Sequence, residues 1–240
     1  MIDPQILSVG PLWYVVFLLS LTCHEAAHAL IAWIGGDPTA YHRGQVSLNP
    51  VPHIRREPFG TVVVPILSYV LGGWMIGWGS APYNPNWQRR YPRRAAWMAL
   101  AGPMANAALM TLAAVSIRIG IATGALQAPG RILRRQLFTH VVEAASRGPA
   151  EGLAIFLSIL FSLNLLLATF NLLPIPPLDG NTAVGIVLPE GMALRFAQFS
   201  HNQSFALLGL LLGWKVFGYI FGPLFLAALN VLYLGARYHS

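Results

Sequence analysis

His24-Glu25-Ala26-Ala27-His28 sets two imidazoles four residues apart with a carboxylate between them. On a helix, positions four apart share a face, so both rings can present a nitrogen to one divalent ion while Glu25 stays within reach of a water on that ion. Neutral imidazole suits Zn²⁺, which lowers the pKa of a bound water to about 7, and a neighbouring carboxylate can then take its proton. That is chemistry for hydrolysis. The surrounding stretch, about Pro11 to Ile34, is otherwise apolar enough to cross a bilayer. An acid at such depth is costly, which makes a functional role the default reading. The plainer alternative, two histidines near a helix end with Glu25 reaching for an interface, is outweighed on that ground. Cys23 adjoins His24, points about 100° away around the helix and reads as packing.

A catalytic zinc needs a third protein ligand and an open position. The chain holds eight acidic residues, few of them able to approach an intramembrane site. Asp179 is the best candidate. It follows Asn171-Leu172-Leu173-Pro174-Ile175-Pro176-Pro177-Leu178 and precedes Gly180. The prolines there stop the preceding helix and leave non-helical backbone that must be buried in protein.

Taken together, these motifs resemble those of the site-2 protease family of intramembrane zinc metalloproteases, in its compact bacterial form without a PDZ domain. The resemblance rests on His24, Glu25 and His28, on Asn171, Pro174, Leu178, Asp179 and Gly180, and on two segments between them. These are Ser47-Leu48-Asn49-Pro50 with His53, and Ala101-Gly102-Pro103 with Asn106. It implies one zinc ion held by His24, His28 and Asp179, with Glu25 as the base that activates water. It further implies a polar pocket around Asn171 that orients the scissile carbonyl or stabilises its oxyanion. The implied activity is that of a zinc metalloendopeptidase cutting membrane-protein substrates within or next to their transmembrane segments. His53 is a candidate for the active-site entrance or a fourth ligand, although a hydrogen-bonded structural histidine is the weightier reading. Asn106, four residues after Gly102, is a candidate for bonding across helices or lining a substrate gate.

Composition supplies the elements that must position these residues. Of 240 residues, 55% are hydrophobic and 10% charged, against roughly 25% charged in ordinary globular domains, which makes this an integral membrane protein. Its net charge of +7 sits in loops between apolar segments, so lipid headgroups rather than nucleic acid are its natural counterpart. One cysteine excludes an internal disulfide framework. No Lys or Arg precedes Arg43, so the first segment is expected to be retained rather than cleaved as a signal peptide.

The expected architecture is a single all-α membrane-embedded domain over 1-240, with a catalytic core at about 11-181 and a C-terminal helical hairpin at about 204-236. About five transmembrane helices are expected, at 11-34, 95-118, 152-172, 204-217 and 219-236. A small extended element is expected near 40-60, available to pair with an unwound substrate strand. Arg131 to Arg147 reads either as a helix lying on the membrane surface, with Leu133, Leu137, Val141 and Ala144 on one face, or as an ordinary solvated linker helix.

Zinc ligands must converge at one depth, and four successive crossings would separate His28 from Asp179. The segment 61-80, containing Pro65 and Gly72-Gly73, is therefore expected to be re-entrant or hairpin-like. The corresponding orientation places the amino terminus outside and loops 35-60 and 81-94 in the cytoplasm, with a multi-pass protein in the cell membrane and the active site towards the cytoplasmic side. The expected partner is a substrate transmembrane helix, with an accessory membrane protein or a second copy as further candidates. The competing reading is a zinc-binding, transport or sensor protein without peptidase activity, which Glu25→Gln would separate from a protease.

Overall fold

The computed structural model describes residues 4–130, 138–199 and 203–234. Four of its helices are long and apolar enough to cross a membrane: α1 (Pro4–Ile34), α6 (Pro92–Ala122), α7 (Pro149–Asn171) and α10 (Gln203–Leu232). Helices α1, α6 and α7 pack on one another and form the core. On α1 the buried positions include Trp13, Val16, Ser20, His24, His28 and Ala32, spaced three or four apart. They form one inward stripe. Facing it on α6 are small residues, Ala95, Ala99 and Gly102, which let the two backbones approach closely. Positions 157-166 of α7 are buried without interruption, as expected of a helix that is apolar all round and surrounded on every side.

Between α1 and α6 the chain forms α2 (Thr39–His42), α3 (Pro50–Arg56), α4 (Val64–Gly72, entered through a π-helical turn at Phe59–Val63) and α5 (Pro85–Arg90). Asn49 and Asn84 start α3 and α5 in the same way. Each accepts a backbone N–H two residues on, with Pro at the first helical position. This overturns the extended element expected near 40-60: Val46-Ser47-Leu48 is a series of bends, and the Asn49-Pro50 start signal turns the following residues into helix. Non-helical backbone lies instead at 75-84.

The expected hairpin at 61-80 is present. Its helical arm, residues 59-72, is about 21 Å long, short of the roughly 30 Å hydrocarbon core. Gly73, at φ +74°, ends that arm in the left-handed conformation. The chain then returns along it, with Ile76 N–H donating to Ser68 Oγ (2.9 Å) and Trp78 N–H to the Gly60 carbonyl (3.1 Å). Where the arms cross, a Cβ on Gly60 or Gly77 would run into the backbone of the opposite arm.

Two side chains of the next elements reach back to the end of α1: Trp87 Nε1 and Arg94 Nη1 both donate to the Gly35 carbonyl, at 3.0 and 3.1 Å. Thus α6 starts on the face where α1 ends, and α7 returns to it.

The C-terminal hairpin is not found. Residues 203-232 form one helix running through Gly218 and Pro223. Each half alone would fall short of the ~20 residues needed to span, and Gly218-Tyr219 offers no polar turn to place among headgroups. Among the described residues the count is therefore four spans rather than five.

The 118-151 connection also differs from expectation. Residues 131-137 lie outside the described residues. The remainder is not a surface helix, because β1 (Leu126–Gln127) pairs antiparallel with β2 (Glu143–Ala144). Val141 and Val142 are buried, and their N–H groups both donate to Ser158 Oγ on α7. Tyr233 Oη donates to the Val141 carbonyl at 2.6 Å, which ties the end of α10 to the same place. After α7 the chain runs through α8 (Gly180–Ala183), a 3-10 turn at Val184–Ile186 and α9 (Glu190–Phe199).

Candidate metal centre

His24 and His28 project from α1 with their rings 4.6 Å apart and nearly perpendicular. Asp179 arrives from the turn after α7. That turn closes because Gly180 lies on the carbonyls just past α7: a Cβ there would overlap Leu172 and Leu173 backbone. The His24 Nε2 to His28 Nε2 distance is 2.9 Å, and Asp179 Oδ2 lies 3.1 and 3.4 Å from the two nitrogens. All three residues sit within one cluster of potential ligands. Cys23 and His53 do not belong to it.

The proton positions follow from the outer partners. Asn106 Nδ2 faces two acceptors, Asn164 Oδ1 (2.8 Å) and the Ser20 carbonyl (3.3 Å). Its Oδ1 must therefore face His24 Nδ1, 2.6 Å away, and that nitrogen must donate. Asn164 is oriented in turn by donating to the Leu160 carbonyl and Ser20 Oγ, both at 2.8 Å. His28 Nδ1 donates to the Met98 carbonyl at 2.7 Å. Both imidazoles thus carry their proton on Nδ1 and aim a lone pair from Nε2.

Those two lone pairs converge with Asp179 Oδ2, a buried carboxylate oxygen that has no hydrogen-bond partner despite its short contacts. With both imidazoles neutral, these are three acceptors without a proton among them, and one bound cation satisfies all three. A tetrahedral ion with bonds of 2.0–2.1 Å separates its ligand atoms by about 3.3 Å, close to the spacings found here. A cradle beside the nitrogens is kept open by Gly102, where a Cβ would fall well inside 3.0 Å of both Nε2 atoms. The donor set and its geometry therefore fit Zn²⁺, and the residues supporting the histidines match the usual practice of fixing ligand tautomers by a carbonyl or amide.

Glu25 is buried on the same helix, three residues before His28. Its carboxylate lies against Gly79 in the returning arm, so close that a Cβ at Gly79 would come within 2.9 Å of Glu25 Oε1. The next residue pins that arm: Ser80 Oγ donates to Glu57 Oε1 (2.6 Å) and accepts from Arg56 Nε (2.9 Å).

The other candidates divide. Asn106 is fully buried and bonded to a ligand, which makes it a support for His24 rather than part of a gate. Asn171 ends α7 with one amide hydrogen committed to the Leu167 carbonyl, so an oxyanion role would fall to the second. His53 lies buried in α3 and donates from Nε2 to the Ser47 carbonyl at 3.0 Å, the position of a hydrogen-bonded structural histidine. Asn164 and Ser20 escaped sequence reasoning, although a polar side chain inside an apolar span was the available signal.

A family model, Peptidase family M50, matches residues 12–212. The chain belongs to this family. Among its relatives is a Bacillus subtilis (strain 168) protein named "Putative zinc metalloprotease YwhC", 30% identical over 193 residues that cover 80% of this chain and 76% of the relative. A Mycobacterium tuberculosis (strain ATCC 25618 / H37Rv) protein named "Putative zinc metalloprotease Rip2" is 31% identical over 210 residues, covering 87% and 70%. No solved structure gives a significant match. For this M50 member, replacing Asn164 with Leu removes the group that orients Asn106. Zinc affinity, measured by competition with a chromophoric chelator, is expected to fall about 10-fold to 100-fold. Unchanged affinity would show that His24 needs no such support.

Proposed function

We propose that this M50 member is an intramembrane zinc metalloprotease that hydrolyses peptide bonds within or beside transmembrane segments of membrane-protein substrates. The convergence of two imidazole lone pairs and one unpartnered carboxylate oxygen, inside a helix bundle able to cross a membrane, carries the reading. A zinc ion bound there would polarise the scissile carbonyl and acidify its water to a pKa of about 7. His24, His28 and Asp179 hold and orient that ion. Glu25 accepts the proton of the attacking water and returns it to the leaving amine. Asn171 steadies the carbonyl oxygen as charge develops on it.

A substrate helix must unwind to present its backbone, and freed N–H and C=O groups need partners at that depth. The non-helical stretch 75-84 runs past Glu25 and is a segment whose remaining backbone groups could pair with the substrate. No observation favours a transport or sensor role.

Support for a cell-membrane protein with its metal towards the cytoplasm comes from Arg43, Arg55, Arg56, Arg89, Arg90, Arg93 and Arg94, all in or beside the connection from α1 to α6. Reporter fusions after residues 45, 82 and 190 are expected in the cytoplasm, and one after 127 outside. Opposite sides for 45 and 82 would remove the hairpin.

The activity itself is tested with purified protein and a panel of single-span membrane peptides. Cleavage should disappear on chelation and return with stoichiometric zinc. Cleavage that survives complete zinc removal would overturn the assignment.

A further inference from the structure

A cavity of about 670 Å³ lies between the second halves of α6 and α10, on the side of the bundle away from the metal. Its walls are apolar, with Met110, Ala114, Val115 and Ile119 on α6, Phe161 of α7 behind them, and Ala228 and Val231 on α10. The small side chains at 114 and 228 leave the gap. From Met110 to Ala122 the groove follows α6 for ~18 Å. It therefore runs from the interface where α6 and α10 end towards the middle of the bilayer. Ile119 and Val231, 59% and 72% exposed, open it sideways to the hydrocarbon.

One charge belongs to the lining, Arg118. Its Nη1 donates to the carbonyl of Leu232 at the end of α10 (3.2 Å), which holds the guanidinium at the interfacial end of the groove. Among the described residues it has no acidic partner. A fork of N–H donors at the level of the headgroups, above an apolar slot, matches a phosphate with an attached acyl chain. The volume falls in the range of small-molecule sites, about 300–1,000 Å³. A transmembrane helix, about 10 Å across and ~20 residues long, would not fit.

We propose that this groove is a binding site for one anionic phospholipid, its phosphate on Arg118 and one acyl chain between α6 and α10. A headgroup of net negative charge is preferred over a zwitterionic one because no ammonium then competes beside the guanidinium. Bound there, the lipid fills the space between α10 and the core. The site stands apart from the metal, so its failure would leave the proteolytic reading intact.

Native mass spectrometry of the full chain, titrated with phosphatidylglycerol or phosphatidylcholine, tests it. One phosphatidylglycerol per chain should survive detergent removal, with phosphatidylcholine held more weakly. Arg118→Gln should weaken phosphatidylglycerol about tenfold. A second variant, Ala114→Leu with Ala228→Leu, keeps the charge but fills the slot; it should lose the lipid with its thermal unfolding unchanged or raised. Equal retention of the two lipids, or full binding by both variants, would overturn the site. So would a dimer that buries the groove without lipid.

Discussion

Glu25→Gln protein is expected to purify with zinc at the wild-type ratio and to cleave membrane peptides about 10²-fold to 10⁴-fold more slowly, the range contributed by a positioned general base. The substitution keeps the size and shape of a side chain packed against Gly79, and it leaves His24, His28 and Asp179 untouched. What it removes is the proton acceptor. An amide can neither take the proton of the attacking water nor return it to the leaving amine. Zinc content and thermal unfolding, measured on the same sample, separate this outcome from misfolding. Cleavage within a few-fold of wild type would assign the proton transfer elsewhere.

The second large effect comes from a residue with no functional group. Gly102→Ala should reduce zinc affinity by at least about 100-fold, the upper end of what supporting changes around a metal cost. Its Cβ would sit inside 3.0 Å of both Nε2 atoms, so either the imidazoles turn away or α6 moves off α1. Metal–ligand distances tolerate only about 0.2 Å, and neither escape is that small. Helix propensity acts in the opposite direction, since Ala favours a helix interior over Gly by about 1 kcal/mol. A loss of zinc with the helix retained would therefore be specific to the site. Met104→Ala, on the exposed side of the same helix, serves as the control and should bind zinc normally. Equal affinities for Gly102→Ala and wild type would contradict the placement of α6 against the ligands.

Much of the site was legible because its residues break the rules of their surroundings. Glu25 stands out in an apolar span, and four-residue spacing joins His24 to His28 without knowledge of the fold. Asp179 followed from the shortage of acids able to reach them. The hairpin at 61-80 followed from a geometric demand, that these ligands meet at one depth. Asn164 obeys the same membrane logic as Glu25, but its partner Asn106 lies 58 residues away and only packing brings the two together. Gly102 stood in the Ala101-Gly102-Pro103 segment of the family resemblance, but that its missing side chain leaves room for His24 and His28 is a tertiary fact. The extended element was placed near 40-60 on three residues, Val46-Ser47-Leu48, where the Asn49-Pro50 helix start decided the local structure. In α10, Gly218 suggested a break, whereas a span in hydrocarbon keeps its backbone bonds by remaining helical.

Zinc X-ray absorption on the purified protein is the most direct test of a site built from His24, His28 and Asp179. The expected spectrum shows a four-coordinate shell of nitrogen and oxygen at about 2.0–2.1 Å, with outer scattering from two imidazoles. A sulfur shell near 2.3 Å, which would bring in Cys23, or outer scattering from three imidazoles, which would bring in His53, would contradict it.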